Sequence, residues 1–370
     1  MFFGLFGKKK SFICIDIGYR NIKVVEVKLK KDLSVAITNY GIAQTPAESI
    51  RNGQIVDVPA VVQEINAIIK KHKMKAKLSK IIMSGTNIIT SIVIAEQRHN
   101  LPLDSIILEK VVPYDMGITA KQDYRINYKL LQTMNNGGRE SYKVFITAVP
   151  RIVLNSYVKV LNSLKLKPQA IDIPGNSVAK FFERTFPWND TLSFGSSDVY
   201  YKHSGDVFAV IDFGSETTIV NIIKNKILEF NNVILLGSSN MDKLISKELD
   251  IPATEAERLK GLFGLIPAGE TSSEKHERVN IIINEYMATL TGHIKKQMDT
   301  YQSKFGDKPI KKVYIIGGGS QLPGLREHLE EALQINVYPV NLLDFNNISM
   351  RKGLPRDQFN YLVNSIGISL

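Results

Sequence analysis

The chain has 370 residues, a net charge of +11 and a single cysteine, Cys14, and 44% of its residues are hydrophobic against 22% charged. That length allows two or three domains with sizeable cores, and the composition is that of a soluble globular chain. One cysteine excludes an intramolecular disulfide and fits a reducing, cytoplasmic setting, while the positive charge favours anionic neighbours such as phosphates or a membrane surface. No zinc-finger spacing or RNA-binding signature is present, so no nucleic-acid partner is expected.

In chain order, MFFGLFGKKK places its apolar residues ahead of its lysines, the reverse of a secretory signal. It supports at best weak, reversible contact with an anionic bilayer, and no run of about 20 apolar residues follows to span one. SFICIDIGYRNIKVVEVKL predicts a hairpin, with Cys14 buried in the apolar run before Asp16. SVAITNYGIAQTP predicts a third strand. VPAVVQEINAIIKKHKM (58–74) predicts a helix with Val61, Ile65, Ile68 and Ile69 on one face, and KIIMSG a further strand. Between 86 and 165 the pattern changes to strands TNIITSIVIAE, DYRINYKLLQ and ESYKVFITAVP around the turn MNNGGR. The helix RIVLNSYVKVLNSLKL closes that segment, and KPQAIDI resumes the first lobe. Residues 185–206 are polar and turn-rich, a surface connection.

The second half repeats the first. Strands VFAVIDFG, TTIVNIIKNK and ILEFNNVILLG precede helices SNMDKLISKEL, TEAERLKGLFG and VNIIINEYMATLTGHIKKQMDTY, then KKVYIIGGGSQLPG and the helix LREHLEEAL. Each half opens with an Asp-x-Gly hairpin, at Asp16 and at Asp212. A tight tip offers consecutive N–H groups to phosphate oxygens, its glycine admits a ligand close to the backbone, and a strand-end aspartate holds Mg²⁺ through water. VYIIGGGSQLPGL lacks the third glycine of a Rossmann fingerprint, Leu322 standing there, and no P-loop motif occurs. Glu257 and Lys260 lie three apart on one helical face, spaced for ribose hydroxyls or for a surface ion pair.

In this order the segments resemble the phosphate-1, phosphate-2, Glu-x-x-Lys and adenosine motifs of the actin-like ATPase superfamily. With MFFGLFGKKKSFICIDIGYRNIKVVEV, the 86–165 insertion, YVKVLNSLKLKPQAIDI, EAERLK, IIGGGSQLPGL and YLVNSIGISL, the whole chain is similar to the PilM family of type IV pilus assembly proteins, relatives of FtsA. The resemblance implies a two-lobed α/β fold of duplicated ribonuclease H-like cores with an inserted α+β subdomain. Its expected divisions are 1–85 (first core), 86–165 (insertion), 166–205 (return and connection), 206–240 (second core), 241–312 (an outer subdomain) and 313–370 (second core with a return to the first lobe).

It also implies ATP and Mg²⁺ as cofactors, with Asp16 and Asp212 organising the metal. Gly18, Tyr19, Arg20 and Asn21, with Lys23 close behind, and Gly214, Ser215, Glu216, Thr217 and Thr218 would wrap the phosphates. Gly237, Glu257, Lys260, Gly317, Gly318, Gly319 and Gln321 would meet the nucleoside. The implied partner is the cytoplasmic tail of a PilN-type inner-membrane protein, received as an extended peptide in a groove between the insertion and the first lobe, with other platform or motor proteins and self-association beside it. The implied location is cytoplasmic, peripheral to the inner membrane. Two departures, Tyr19-Arg20-Asn21 where relatives carry small hydroxyls and Pro174 where they often carry an acid, predict slow or absent hydrolysis. The alternatives are an FtsA-like filament-forming ATPase and a small-molecule kinase, for which Asp104 and Asp115 are the available bases. A large heat-shock chaperone would need a further peptide-binding domain, for which the chain leaves no room.

Overall fold

The first half of the chain builds β1 (Lys10–Ile17), β2 (Asn21–Leu29), β3 (Val35–Gln44), the short ladder β4 (Ile50–Arg51) and β5 (Gln54–Ile55), α1 (Val58–Lys71) and β6 (Leu78–Ile82). α1 begins where the Asp57 carboxylate accepts the Ala60 N–H at 3.0 Å, and it buries Val61, Ile65 and Ile68 along one stripe. The insertion holds β7 (Ile89–Glu96), the single turn α2 (Leu103–Ile106) running into a π-helical segment over Ile107–Asp115, β8 (Tyr124–Asn136) and β9 (Arg139–Pro150). Then come α3 (Arg151–Ser163), β10 (Lys167–Asp172) and α4 (Pro174–Thr185). The second half holds β11 (Val207–Phe213), β12 (Thr218–Lys224), β13 (Ile227–Ile234), α5 (Ser238–Leu249), α6 (Ala253–Phe263), α7 (Glu274–Phe305), β14 (Lys312–Ile316), α8 (Leu325–Leu333), β15 (Asn336–Pro339), β16 (Ile348–Met350) and α9 (Val363–Gly367). This computed structural model describes residues 10–30, 32, 34–97, 101–136, 139–185, 207–267, 269, 273–305, 308–341, 345 and 347–370. The leader ahead of Lys10, the centre of the MNNGGR turn and the connection after Thr185 lie outside the described residues.

The two large sheets repeat one plan. The order β3-β2-β1-β6-β10 in the first matches β13-β12-β11-β14-β15 in the second, and β16 extends the first beyond β3. In each, three antiparallel strands are followed by two parallel ones. Covered on both faces, β11 is buried throughout, and its side chains alternate between cores: Val207, Ala209, Ile211 and Phe213 face one, Phe208 and Val210 the other.

Two helices cross between the lobes. α4, from the first half, lies against β12 and β13; α9, from the end of the chain, lies against β1 and β2. They touch so closely that a Cβ on Gly367 would stand 2.0 Å from the Ser177 carbonyl oxygen. The first core therefore runs without a break from β1 through these helices to the underside of β11 and β14.

The insertion has its own core under the sheet β7-β9-β8, made by Ile106, Ile107, Val111 and Val112 with Val144, Ile146 and Ala148. Sequence reading missed the helical segment supplying the first four of these residues, because Pro102 and Pro113 punctuate its apolar run. The helix read as closing the insertion, α3, sends Val153, Tyr157, Val160 and Leu161 into the large first core, because that apolar face packs on α1 and β6. Among the described residues, no helix is long and apolar enough to cross a membrane.

Candidate functional site: the interlobe cleft

The two hairpins close identically. Gly18 N–H donates to Asn21 O at 3.1 Å, and Gly214 N–H donates to Thr217 O at 2.9 Å. The carbonyls of Gly18 and Arg20 are held from behind by Thr45, those of Gly214 and Ser215 by Ser238 and Ser239, bracing that leaves N–H groups for an anion. Between the tips opens a cleft of about 340 Å³, lined by every residue assigned to the site from sequence except Thr218 and Gly237.

At its floor, Lys23 Nζ donates to Asp16 Oδ2 at 2.8 Å. Burial pulls the Lys23 ammonium towards deprotonation, but Asp16 and then Asp212 outweigh it and hold its pKa above the ordinary lysine value. Asp212 is held by an amide: Asn364 Nδ2 donates to its Oδ2 at 2.8 Å. Burial raises the pKa of Asp212, and Asn364 and Lys23 do not cancel the rise. Both carboxylates thus face one cation, Lys23, across the floor. Cys14, buried behind Asp16, has its thiol pushed up to about 12 by desolvation, so it is inert.

Several assignments change in detail. Thr218 is fully buried and donates to Leu236 O, because its position in β12 points it into the lobe. Gly237 caps α5 behind the second tip: a Cβ there would stand 2.2 Å from Ser215 O, and its carbonyl accepts the Tyr286 hydroxyl. Both support the tip from behind and do not line the cleft. Arg20, read as a phosphate partner, ion-pairs with Glu257 across the mouth, joining the first hairpin to α6. Lys260 is turned to Asp242 at 2.8 Å and to Ser238 O, with burial lowering its pKa against the pull of Asp242. Glu216 accepts from Ser239 Oγ.

Of the three glycines, two have packing reasons. Gly317 has φ +86°, and a Cβ would lie 2.5 Å from Asp212 Oδ1; a Cβ on Gly319 would strike the Phe213 ring. Only Gly318 has room, its nearest neighbour being Tyr361 at 3.4 Å. Asp104 and Asp115 lie in the insertion away from the cleft, Asp104 accepting the Tyr128 hydroxyl, so neither base named for the kinase reading stands at the site. Asp172, the carboxylate nearest in sequence to Pro174, is engaged by Ile173 N–H, Asn176 and Lys180.

Sequence reading missed Met83–Gly85, Ile88 and Thr90 on one wall and Asn231, Val233, Tyr361 and Asn364 on the other. The only signal was the strand-to-glycine step in KIIMSG; Asn364 is brought in by α9 from the far end of the chain.

The duplicated sheets, with paired Asp-x-Gly tips closing on one cleft, define the actin-like arrangement. A family model described as "Type IV pilus assembly protein PilM" matches residues 14–370. The chain belongs to that family. The cell division protein FtsA of Bacillus subtilis (strain 168) is 23% identical to it over 351 residues, 88% of this chain and 77% of FtsA. Among solved structures, one titled "PilM-PilN type IV pilus biogenesis complex" superposes with a TM-score of 0.78 at 18% identity, covering 96% of this chain and 97% of that one. The ethanolamine utilization protein EutJ from Carboxydothermus hydrogenoformans follows at 0.55 and 14%, over 99% and 90%. MreB5 of Spiroplasma citri bound to AMPPNP gives 0.52 and 11%, over 98% and 96%. These likenesses show the fold.

Proposed function

We propose that the cleft binds Mg-ATP and that this PilM-family chain is a scaffold of the type IV pilus platform on the cytoplasmic side of the inner membrane. One observation carries the nucleotide reading: two equivalent tips, each ending a strand in a buried aspartate, share one cleft with a lysine between those aspartates. The donor set fits the group. Mg²⁺ favours a few carboxylates with retained water over an all-protein cage, and among the described residues no cluster of three His, Cys, Asp or Glu exists to form such a cage. The volume falls in the range of nucleotide-sized sites. When bound, magnesium would screen the charge of the β- and γ-phosphates. Asp16 and Asp212 would hold it through its water shell. Amides of Tyr19–Asn21 and Ser215–Thr217 would donate to phosphate oxygens, and Gly318 and Gln321 would border the nucleoside. For Arg20 to meet a phosphate it must leave Glu257, which would free that carboxylate for ribose.

Hydrolysis is slow in this reading, because the turn at Pro174 offers no unengaged carboxylate to polarise water. The partner is a PilN-type cytoplasmic tail, a reading supported by family membership and by the solved complex, which pairs PilM with PilN. The groove between the insertion and the first lobe is the proposed seat, and other platform proteins or further copies of the chain join through other surfaces.

Thermal melts with millimolar Mg-ATP test the nucleotide reading: a ligand at about 100 times its Kd stabilises by roughly 2.7 kcal/mol. No shift in melting temperature refutes it. Phosphate release should fall well below the usual enzymatic range of about 1–10³ s⁻¹. Calorimetric titration of a synthetic PilN-type tail checks the partner, and undamped binding after alteration of the groove would displace the seat.

A further inference from the structure

The end of the first sheet remote from the cleft is dominated by lysine. β1 runs from Lys10 at that end to Asp16 at the cleft, about 20 Å of strand, and the parallel strands β6 and β10 both start there. The connection from α1 into β6 carries Lys71, Lys73, Lys75 and Lys77, all exposed, and the turn from α3 into β10 adds exposed Lys165 and Lys167. These two segments adjoin, since Lys167 N–H donates to Lys77 O at 2.8 Å. Lys10 and Lys30 complete the face from β1 and the end of β2, whose register sets Lys10 against Leu29.

None of these ammonium groups forms an ion pair among the described residues, though Lys30 draws on the nearby Asp32 carboxylate. Glu26, the buried acid beneath them, is already engaged by Asn39, Thr38 and the N–H groups of Lys75 and Ala76, and Asp32 beyond Lys30 is bonded to Ser34. A helix C-terminus accounts for Lys70 and Lys71 in the last turn of α1, but not for the others. Like charges gathered on one end repel, and an anionic surface is what offsets them. In sequence, Lys10 is preceded by MFFGLFGKK, which carries Phe2, Phe3, Leu5, Phe6 and two more lysines.

We infer that this lysine end rests on an anionic lipid bilayer, with the cleft turned away from it. Nucleic acid would also complement the lysines, but the three phenylalanines and the leucine that precede Lys10 in sequence match acyl chains. This goes beyond nucleotide binding and tail recognition and depends on neither.

Cosedimentation of the full chain with vesicles tests it. Binding to vesicles of phosphatidylcholine with phosphatidylglycerol should exceed binding to phosphatidylcholine alone and should fall with added salt. A basic residue at such a surface is worth roughly fivefold in affinity, so Lys71→Gln, Lys73→Gln, Lys75→Gln and Lys77→Gln together should weaken binding by several hundredfold. The same charge change at Lys295, Lys296, Lys304 and Lys311, exposed on α7 and before β14, should leave binding nearly intact. The inference is overturned by equal binding to both vesicle types, by equal losses from the two quadruple variants, or by duplex DNA displacing the vesicles through the same lysines. Melts with Mg-ATP report separately on the cleft and on folding, so failure here and failure of the nucleotide reading are distinguishable.

Discussion

The two Asp-x-Gly hairpins share a backbone and differ in charge. In the same register position, Asp16 faces Lys23 across its hairpin and Asp212 faces Ile219. One strand further over, Asp16 pairs with Ile82 and Asp212 with Ile316; Met83 follows in the first lobe, but Gly317, at φ +86°, follows in the second. The first aspartate therefore carries its own counter-ion. The second is boxed in by a glycine and an amide, with burial raising its pKa. Duplication supplies matching geometry; divergence at the facing positions makes one carboxylate a settled ion pair and leaves the other short of positive charge, the natural place for a cation to act.

The sharpest way to break this contrast is to substitute the facing residues. Lys23→Met leaves two buried carboxylates without their cation and should cost roughly 3–5 kcal/mol, whereas Ile219→Met, a near volume-conserving change at the matching site, should cost less than about 1.5 kcal/mol. Urea unfolding of the two variants reads the difference; equal losses would mean the hairpins are electrostatically equivalent.

Next in size is Gly317→Ala, expected to cost roughly 1–3 kcal/mol from backbone strain alone, with overlap on Asp212 Oδ1 added. An undisturbed melting temperature would show that the second aspartate is not boxed in.

Asp212→Asn sharpens the contrast through pH. A carboxyl whose pKa is raised on folding stabilises the native state at low pH, and that contribution is lost as pH climbs through the folded value. The asparagine variant should therefore gain on the wild type as pH rises from the ordinary aspartate value of 3.8, by about 1.4 kcal/mol per pH unit until the folded value is reached. Its Mg-dependent response to ATP should shrink at the same time. Melting curves across that range with parallel slopes for both proteins would contradict the assignment.

The smallest effect is expected at the mouth. Arg20 and Glu257 are 40% and 38% exposed, and a double-mutant cycle on this pair should yield a coupling below about 1 kcal/mol. A larger coupling would make the pair a clamp on the lobes.

Local pattern was enough for most of the strands, though not for β4, β5, β15 and β16, and for the two hairpins and the repeated plan, because apolar periodicity and Asp-x-Gly turns are written within a few residues of where they act. It located about half of the cleft wall, the tips and the glycines, for the same reason. It was silent where the partner of a side chain comes from elsewhere. Thr218 and Gly237 look like tip residues, yet the body of the lobe behind the tip claims them. Arg20 looks like a phosphate ligand, yet α6 brings Glu257 to it. Asn364, which holds Asp212 from 152 positions away, bears no local mark. The sequence by itself determined two similar α/β halves, a paired phosphate-type motif and a net positive charge. Only the tertiary structure decided which carboxylate keeps its lysine, why two of three glycines are glycines, and that lysines scattered along the chain gather on one end, because burial and long-range pairing are set by how β1, β6, β10 and the crossing helices α4 and α9 pack.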